Sequence, residues 1–151
     1  MMKRLNSLSR DSAGTSTIEL GLLAPLLATM LIGLVDISTA YSDMLRLEQV
    51  AQRTVERVQN SSFTPSMEAT LEAEAVAAAG AGSTATLTWW LECNGAVEAW
   101  TDSCDDGETY ARYVQLNVQK NYTPIILASF AGSQSNGNIT LNGIAGVRTG
   151  Q

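Results

Sequence analysis

From Leu20 to Val35 the chain reads LGLLAPLLATMLIGLV, sixteen residues without a charge. Water solvates such a surface at a cost, so lipid or other apolar helices must cover it. A helix crosses a hydrocarbon core of ~30 Å with about 20 apolar residues. Adding Ile18 before the run, and Ile37, Thr39 and Ala40 after Asp36, reaches that length. The chain is thereby constrained to one membrane helix near its start, with the rest folding outside the bilayer. Two carboxylates bracket the run, Glu19 at its mouth and Asp36 at its exit. An ionised group in or beside such a segment is expensive and is a functional candidate by default. Pro25 lies in the first third of the run and removes one backbone hydrogen bond, which predicts a kink rather than a break.

Charge gives the helix a direction. Residues 1–14 hold Lys3, Arg4 and Arg10 against Asp11, a net of +2, whereas residues 15–151 carry a net of −8. Basic flanks stay on the cytoplasmic side of a span. This predicts a single-pass membrane protein with its N-terminus in the cytoplasm and an acidic domain outside. The acidic exterior lacks the basic footprint that nucleic acid requires. The absence of histidine removes the usual general base and the commonest metal ligand. No Ser or Cys nucleophile has a visible base and no glycine-rich phosphate loop is present, so neither catalysis nor a cofactor is expected. Cys93 and Cys104 both fall in the translocated part, where an even, small number of cysteines predicts one disulfide. Their spacing is not the redox Cys-x-x-Cys, and two cysteines do not make a four-ligand zinc site.

The remainder reads as an α+β fold. Past Tyr41 the helix continues, with Met44, Leu47, Ala51, Thr54 and Val58 as a narrow apolar stripe. Asn60-Ser61-Ser62 ends it. Thr64-Pro65 reads as an N-cap followed by proline, opening a second helix to Ala79 whose face Ala69, Ala73, Ala77 is expected to pack on the first. Gly80 and Gly82 end that helix, and the period then changes to two. Thr84–Cys93 reads as a strand, Asn94-Gly95 as a hairpin turn, and Ala96–Trp100 as the returning strand. Tyr110–Tyr122 is the clearest strand, with Val114, Leu116 and Val118 on one face. Ile125 to Phe130 is expected to form a short apolar turn or helix, and Ile139-Thr140-Leu141 begins a last strand ending near Val147-Arg148. The sum is a small antiparallel sheet of three or four strands packed on helices. Domain boundaries follow: 1–14 as a basic N-terminal segment, 15–40 as the transmembrane helix, 41–60 as an extended amphipathic helix, and 61–151 as the outer α+β domain.

The order of residues at the membrane end resembles a known family. A short basic leader ends in Gly14, a carboxylate stands five residues on at Glu19, and an apolar helix follows. This resembles a type IV pilin-like precursor. More closely, Glu19, Pro25 six residues later and Asp36 before a polar helix resemble the TadE-like pseudopilins, minor pilins of tight-adherence (Flp, type IVc) pilus systems. The chain departs from that pattern at Leu20, where the family often has Phe. Thr15 also differs from the aromatic residue usual at the mature start of type IVa pilins. The resemblance covers about residues 10–60. It implies a pilin-like spine and a cut by prepilin peptidase between Gly14 and Thr15. It also implies assembly through Glu19, and as partners other pilin or pseudopilin subunits and the inner-membrane assembly platform.

Other readings compete. Ser38-Thr39-Ala40 resembles a signal-peptide cleavage site, although the apolar run is long and Glu19 opens it. A single-pass membrane-anchored or secreted binding domain with no filament role is the alternative from another class. The loop Asp102-Ser103-Cys104-Asp105-Asp106-Gly107-Glu108 offers oxygen ligands but lacks the alternation of an EF-hand, so no metal site is assigned. Trp89 and Trp90 are expected on opposite faces of their strand, one in the core and one exposed.

Overall fold

The computed structural model describes residues 13–125 and 137–150. The expected leader lies outside them up to residue 12, and the apolar turn expected after Ile125 also lies outside them. Helix α1 spans Ala13–Asn60 and passes through Pro25 without interruption. Among the described residues it is the one helix long and apolar enough to cross a membrane. Its large apolar residues from Ile18 to Val35 are between 42% and 74% exposed, so nothing among the described residues covers them.

A 3-10 turn, Pro65–Met67, precedes helix α2, Glu68–Ala79. Thr64 has the extended backbone of an N-cap (φ −132°), but its hydroxyl meets the Ser66 hydroxyl at 2.9 Å rather than a backbone N–H. The strands follow as β1 (Ser83–Cys93), β2 (Ala96–Glu98), β3 (Tyr110–Tyr122) and β4 (Ile139–Gly150). They form one antiparallel sheet in the order β2-β1-β3-β4. Asn94 (φ 49°) and Gly95 (φ 89°) make the two-residue turn, since only such residues tolerate left-handed backbone at both positions. The returning strand stops at Glu98, short of the expected Trp100.

One face of the sheet is the core. Register places Leu87 opposite Leu116, Trp89 opposite Val114, and Val118 between Ala85 and Gly143. These side chains pack under α1 and α2. The stripe on α1 is wider than expected: Leu47, Val50, Ala51, Val55 and Val58 are buried, whereas Met44 is 37% exposed. Two elements, the sheet and α2, lie against this helix, so the buried arc exceeds a single seam. On α2 the expected alanine face is wrong. Ala69, Ala73 and Ala77 are exposed, and Leu71, Ala75 and Ala79 are buried. Leu71 decides the rotation, because burying a leucine is worth ~1.5–3 kcal/mol and an alanine much less. The Glu72 carboxylate accepts the Leu87 N–H at 2.7 Å, which covers the edge of β1 that β2 leaves open.

Candidate functional site

Gly14 and Thr15 lie in the first turn of α1, and Glu19 stands exposed one turn later. The expected scissile bond between Gly14 and Thr15 thus lies within the described helix, one turn before Glu19. Glu19 and Asp36 bracket the run in sequence, yet their environments are opposite.

Asp36 is 1% exposed. Lone buried carboxylates cost several kcal/mol, and this one is supplied with donors by the far end of the sheet. Tyr122 at the end of β3 donates its hydroxyl to Oδ1 at 2.5 Å, and the Ile125 N–H donates to Oδ2 at 2.9 Å. The Thr39 hydroxyl meets the phenol oxygen at 2.7 Å and reaches the Asp36 carbonyl at 2.9 Å. Burial, then the bond to Asp36, hold the Tyr122 hydroxyl above its ordinary value of 10.0, with Thr39 opposing. Two turns further along α1, Asp43 pairs with Lys120 of the same strand at 2.8 Å. Lys120 and Tyr122 alternate with Asn121, so both project from the core face of β3 toward the helix. This polar clamp joins the sheet to the helix where the apolar run ends.

Just beyond the clamp, β4 touches α1 backbone to backbone. A Cβ built on Gly143 would lie 2.3 Å from the Leu47 carbonyl carbon and 2.4 Å from the Glu48 nitrogen. Glycine is therefore the residue this crossing admits. The sequence reading did not single out Tyr122, Lys120 or Gly143. An isolated glycine inside a strand is the signal for close backbone approach and was available for Gly143.

At the opposite end of the sheet Cys93 and Cys104 are bonded, with Cα atoms 5.5 Å apart. The loop between them is further tied by Glu108, which accepts from the Asn94 side-chain amide at 3.0 Å and from the Asp105 N–H at 3.2 Å. The Glu108 carboxylate lies near both sulfurs, but bonded sulfurs are not thiolate ligands, so the cluster is structural. Trp89 and Trp90 do occupy opposite faces. Trp89 packs against Phe63 at 5.8 Å between ring centroids. Trp90 is not free, since it stacks on Tyr113 at 5.4 Å. Phe63 also takes the edge of Trp100 at 5.2 Å, making the link after α1 part of the core.

Residues 14–55 match the family model described as TadE-like protein. The N-terminal part of the chain is TadE-like, as its residues led one to expect. The TadE-like segment holds Gly14, Thr15, Glu19, Pro25, Asp36 and Asp43, and stops within the packed half of α1. None of α2 or the sheet falls within it, so Tyr122, Lys120 and Gly143 meet the TadE-like helix from outside the matched residues. No curated protein and no solved structure matches the chain.

Proposed function

We propose that this chain is a minor pilin or pseudopilin needed to assemble a tight-adherence pilus. It is cut after Gly14 by prepilin peptidase and held in the inner membrane until assembly. The observation that carries the reading is the TadE-like match, which begins at Gly14, the residue before the expected cut. The domain lies on the periplasmic side, the basic leader on the cytoplasmic side, and the chain is the substrate of an enzyme rather than an enzyme. The clamp at Asp36 supports this placement. It leaves Ile18 to Val35, about 27 Å of helix at 1.5 Å per residue, exposed among the described residues for a core of ~30 Å. The same bare surface suits exchange of lipid for the helices of other pilin subunits and the assembly platform.

Cutting after Gly14 releases an α-ammonium at Thr15. In a packed apolar bundle the Glu19 carboxylate of one subunit pairs with that group on a neighbour, and misregistered subunits pay the cost of an unpaired ion. N-terminal sequencing of the chain from its native membrane tests the cut. A start at Thr15 is expected, and a start at Met1 or at Tyr41 refutes it. Glu19→Ala is expected to leave the cut intact and to remove the chain from assembled pili. Normal incorporation of that variant sinks the role of Glu19.

A further inference from the structure

The acidic domain keeps three of its six cations on one side of one helix. Arg46, Arg53 and Arg57 follow one another along α1 at spacings of seven and four and line a groove of about 710 Å³ beside α2. Arg46 donates to the Ala78 carbonyl at 3.0 Å, at the C-terminal end of α2. Arg57 pairs with Glu74. Arg53, between them, has no hydrogen bond or ion pair among the described residues. Glu74 and Ala78 form the groove's α2 wall, and its volume leaves room for an incoming segment.

A lipid headgroup is the wrong anion for this groove. Arg53 stands eighteen residues beyond Val35, about 27 Å along the helix, whereas the headgroup layer extends only ~5–8 Å past the hydrocarbon. The chain itself carries a better match. Asp102, Asp105 and Asp106 are exposed, and their carboxylates have no partner among the described residues. They sit on a loop already held by the Cys93–Cys104 bond and by Glu108, so binding orders little that is not ordered already. That loop lines its own pocket with Leu91, Tyr110 and Arg112, apart from the arginine groove.

We propose that the groove between α1 and α2 receives the acidic loop Asp102–Glu108 of a second copy of this chain. Groove and loop are different patches, so the contact is heterologous, and a contact that does not close on itself propagates as a filament. The loop lies at the end of the sheet away from the Asp36 clamp, and Arg53 lies seven residues short of the end of α1. The contact therefore staggers successive copies by about 10 Å or more along the helix axis. The contact rests on the filament reading for the common orientation of the copies.

The test uses the full-length chain in its membrane. Arg53→Lys keeps the charge and adds an amine that a carbodiimide couples to a carboxylate in contact. An amide link from position 53 to Asp102, Asp105 or Asp106 of an isotopically distinct copy is expected, with a ladder of oligomers. Co-purification of two differently tagged copies gives the second readout. Arg53→Glu in both copies, or Asp105→Arg with Asp106→Arg in both, is expected to lower it about tenfold. One copy of each kind restores it. Absence of the link, or a link from position 53 to another protein, overturns the proposal, as does failure of the mixed pair to recover. The mature N-terminus is read on the same samples. A normal cut without the link refutes the contact alone, and the link without a cut refutes the filament reading alone.

Discussion

Gly143→Ala places a methyl carbon where the helix backbone already stands. The added Cβ meets the Leu47 carbonyl carbon at 2.3 Å and the Glu48 nitrogen at 2.4 Å, while carbon contacts are comfortable at ~3.5–4.0 Å. The shortfall exceeds an ångström, and both colliding groups are main chain, so no side-chain rotation relieves it. Either β4 or α1 must move outward, drawing Leu47 away from the core that it shares with Leu116 and Val118. Overpacking costs ~1–3 kcal/mol, occasionally more, and separating two whole elements places this case at about 3 kcal/mol or above. At 4–8 °C per kcal/mol for a domain of this size, Tm falls by roughly 12 °C or more. Thermal unfolding of the full chain in detergent, followed by tryptophan fluorescence, measures it. Trp89 and Trp100 report directly, because both pack against the core. Gly146 on the same strand is the matched control. A Cβ there would lie 3.6 Å from its nearest neighbour, the Val114 carbonyl oxygen, so Gly146→Ala should change stability by under ~0.5 kcal/mol. Equal Tm values for the two variants would refute the close crossing of β4 over α1.

Asp36→Ala removes the carboxylate that accepts from the Ile125 N–H and the Tyr122 hydroxyl, leaving the phenol the Asp36 carbonyl at 3.1 Å and the Thr39 hydroxyl, and is expected to cost ~1–3 kcal/mol in the same assay. Combined with Tyr122→Phe the loss should be less than the sum, and strict additivity would show that the two do not form one unit. The Tyr122 hydroxyl is raised in the folded state, so its contribution is fully present below pH 10.0 and is lost as pH rises through the higher folded value. An alkaline titration should therefore find Tyr122→Phe less sensitive than the parent above pH 10.0 and similar in slope near neutrality. Cys93→Ser with Cys104→Ser opens a loop of sequence separation 11 and should lower stability by about 2–3 kcal/mol in chemical denaturation. An unchanged midpoint would mean that Glu108 and Asn94 hold the loop without the bond.

Much of the fold was legible because it is written in local patterns. A two-residue period bounded by turn residues marks β3 to the residue, and Asn94-Gly95 specifies its turn through backbone sterics alone. The rotation of α2 was not legible, because alanines at 69, 73 and 77 and the set Leu71, Ala75, Ala79 satisfy the same period. Only the layer beneath chooses between them. The wider buried arc of α1 has the same origin, since a helix does not announce how many neighbours it will have.

The membrane run, its bracketing carboxylates and the motif from Gly14 to Glu19 were determined by the sequence alone. Length, hydropathy and spacing are properties of neighbours along the chain. What the tertiary structure decided is that the two carboxylates part company. Asp36 finds Tyr122 and Ile125 more than eighty residues away and becomes a buried clamp, while Glu19 stays exposed among the described residues. A charge's role depends on which donors reach it, and donors this distant in sequence are brought together only by the packing of a strand against a helix.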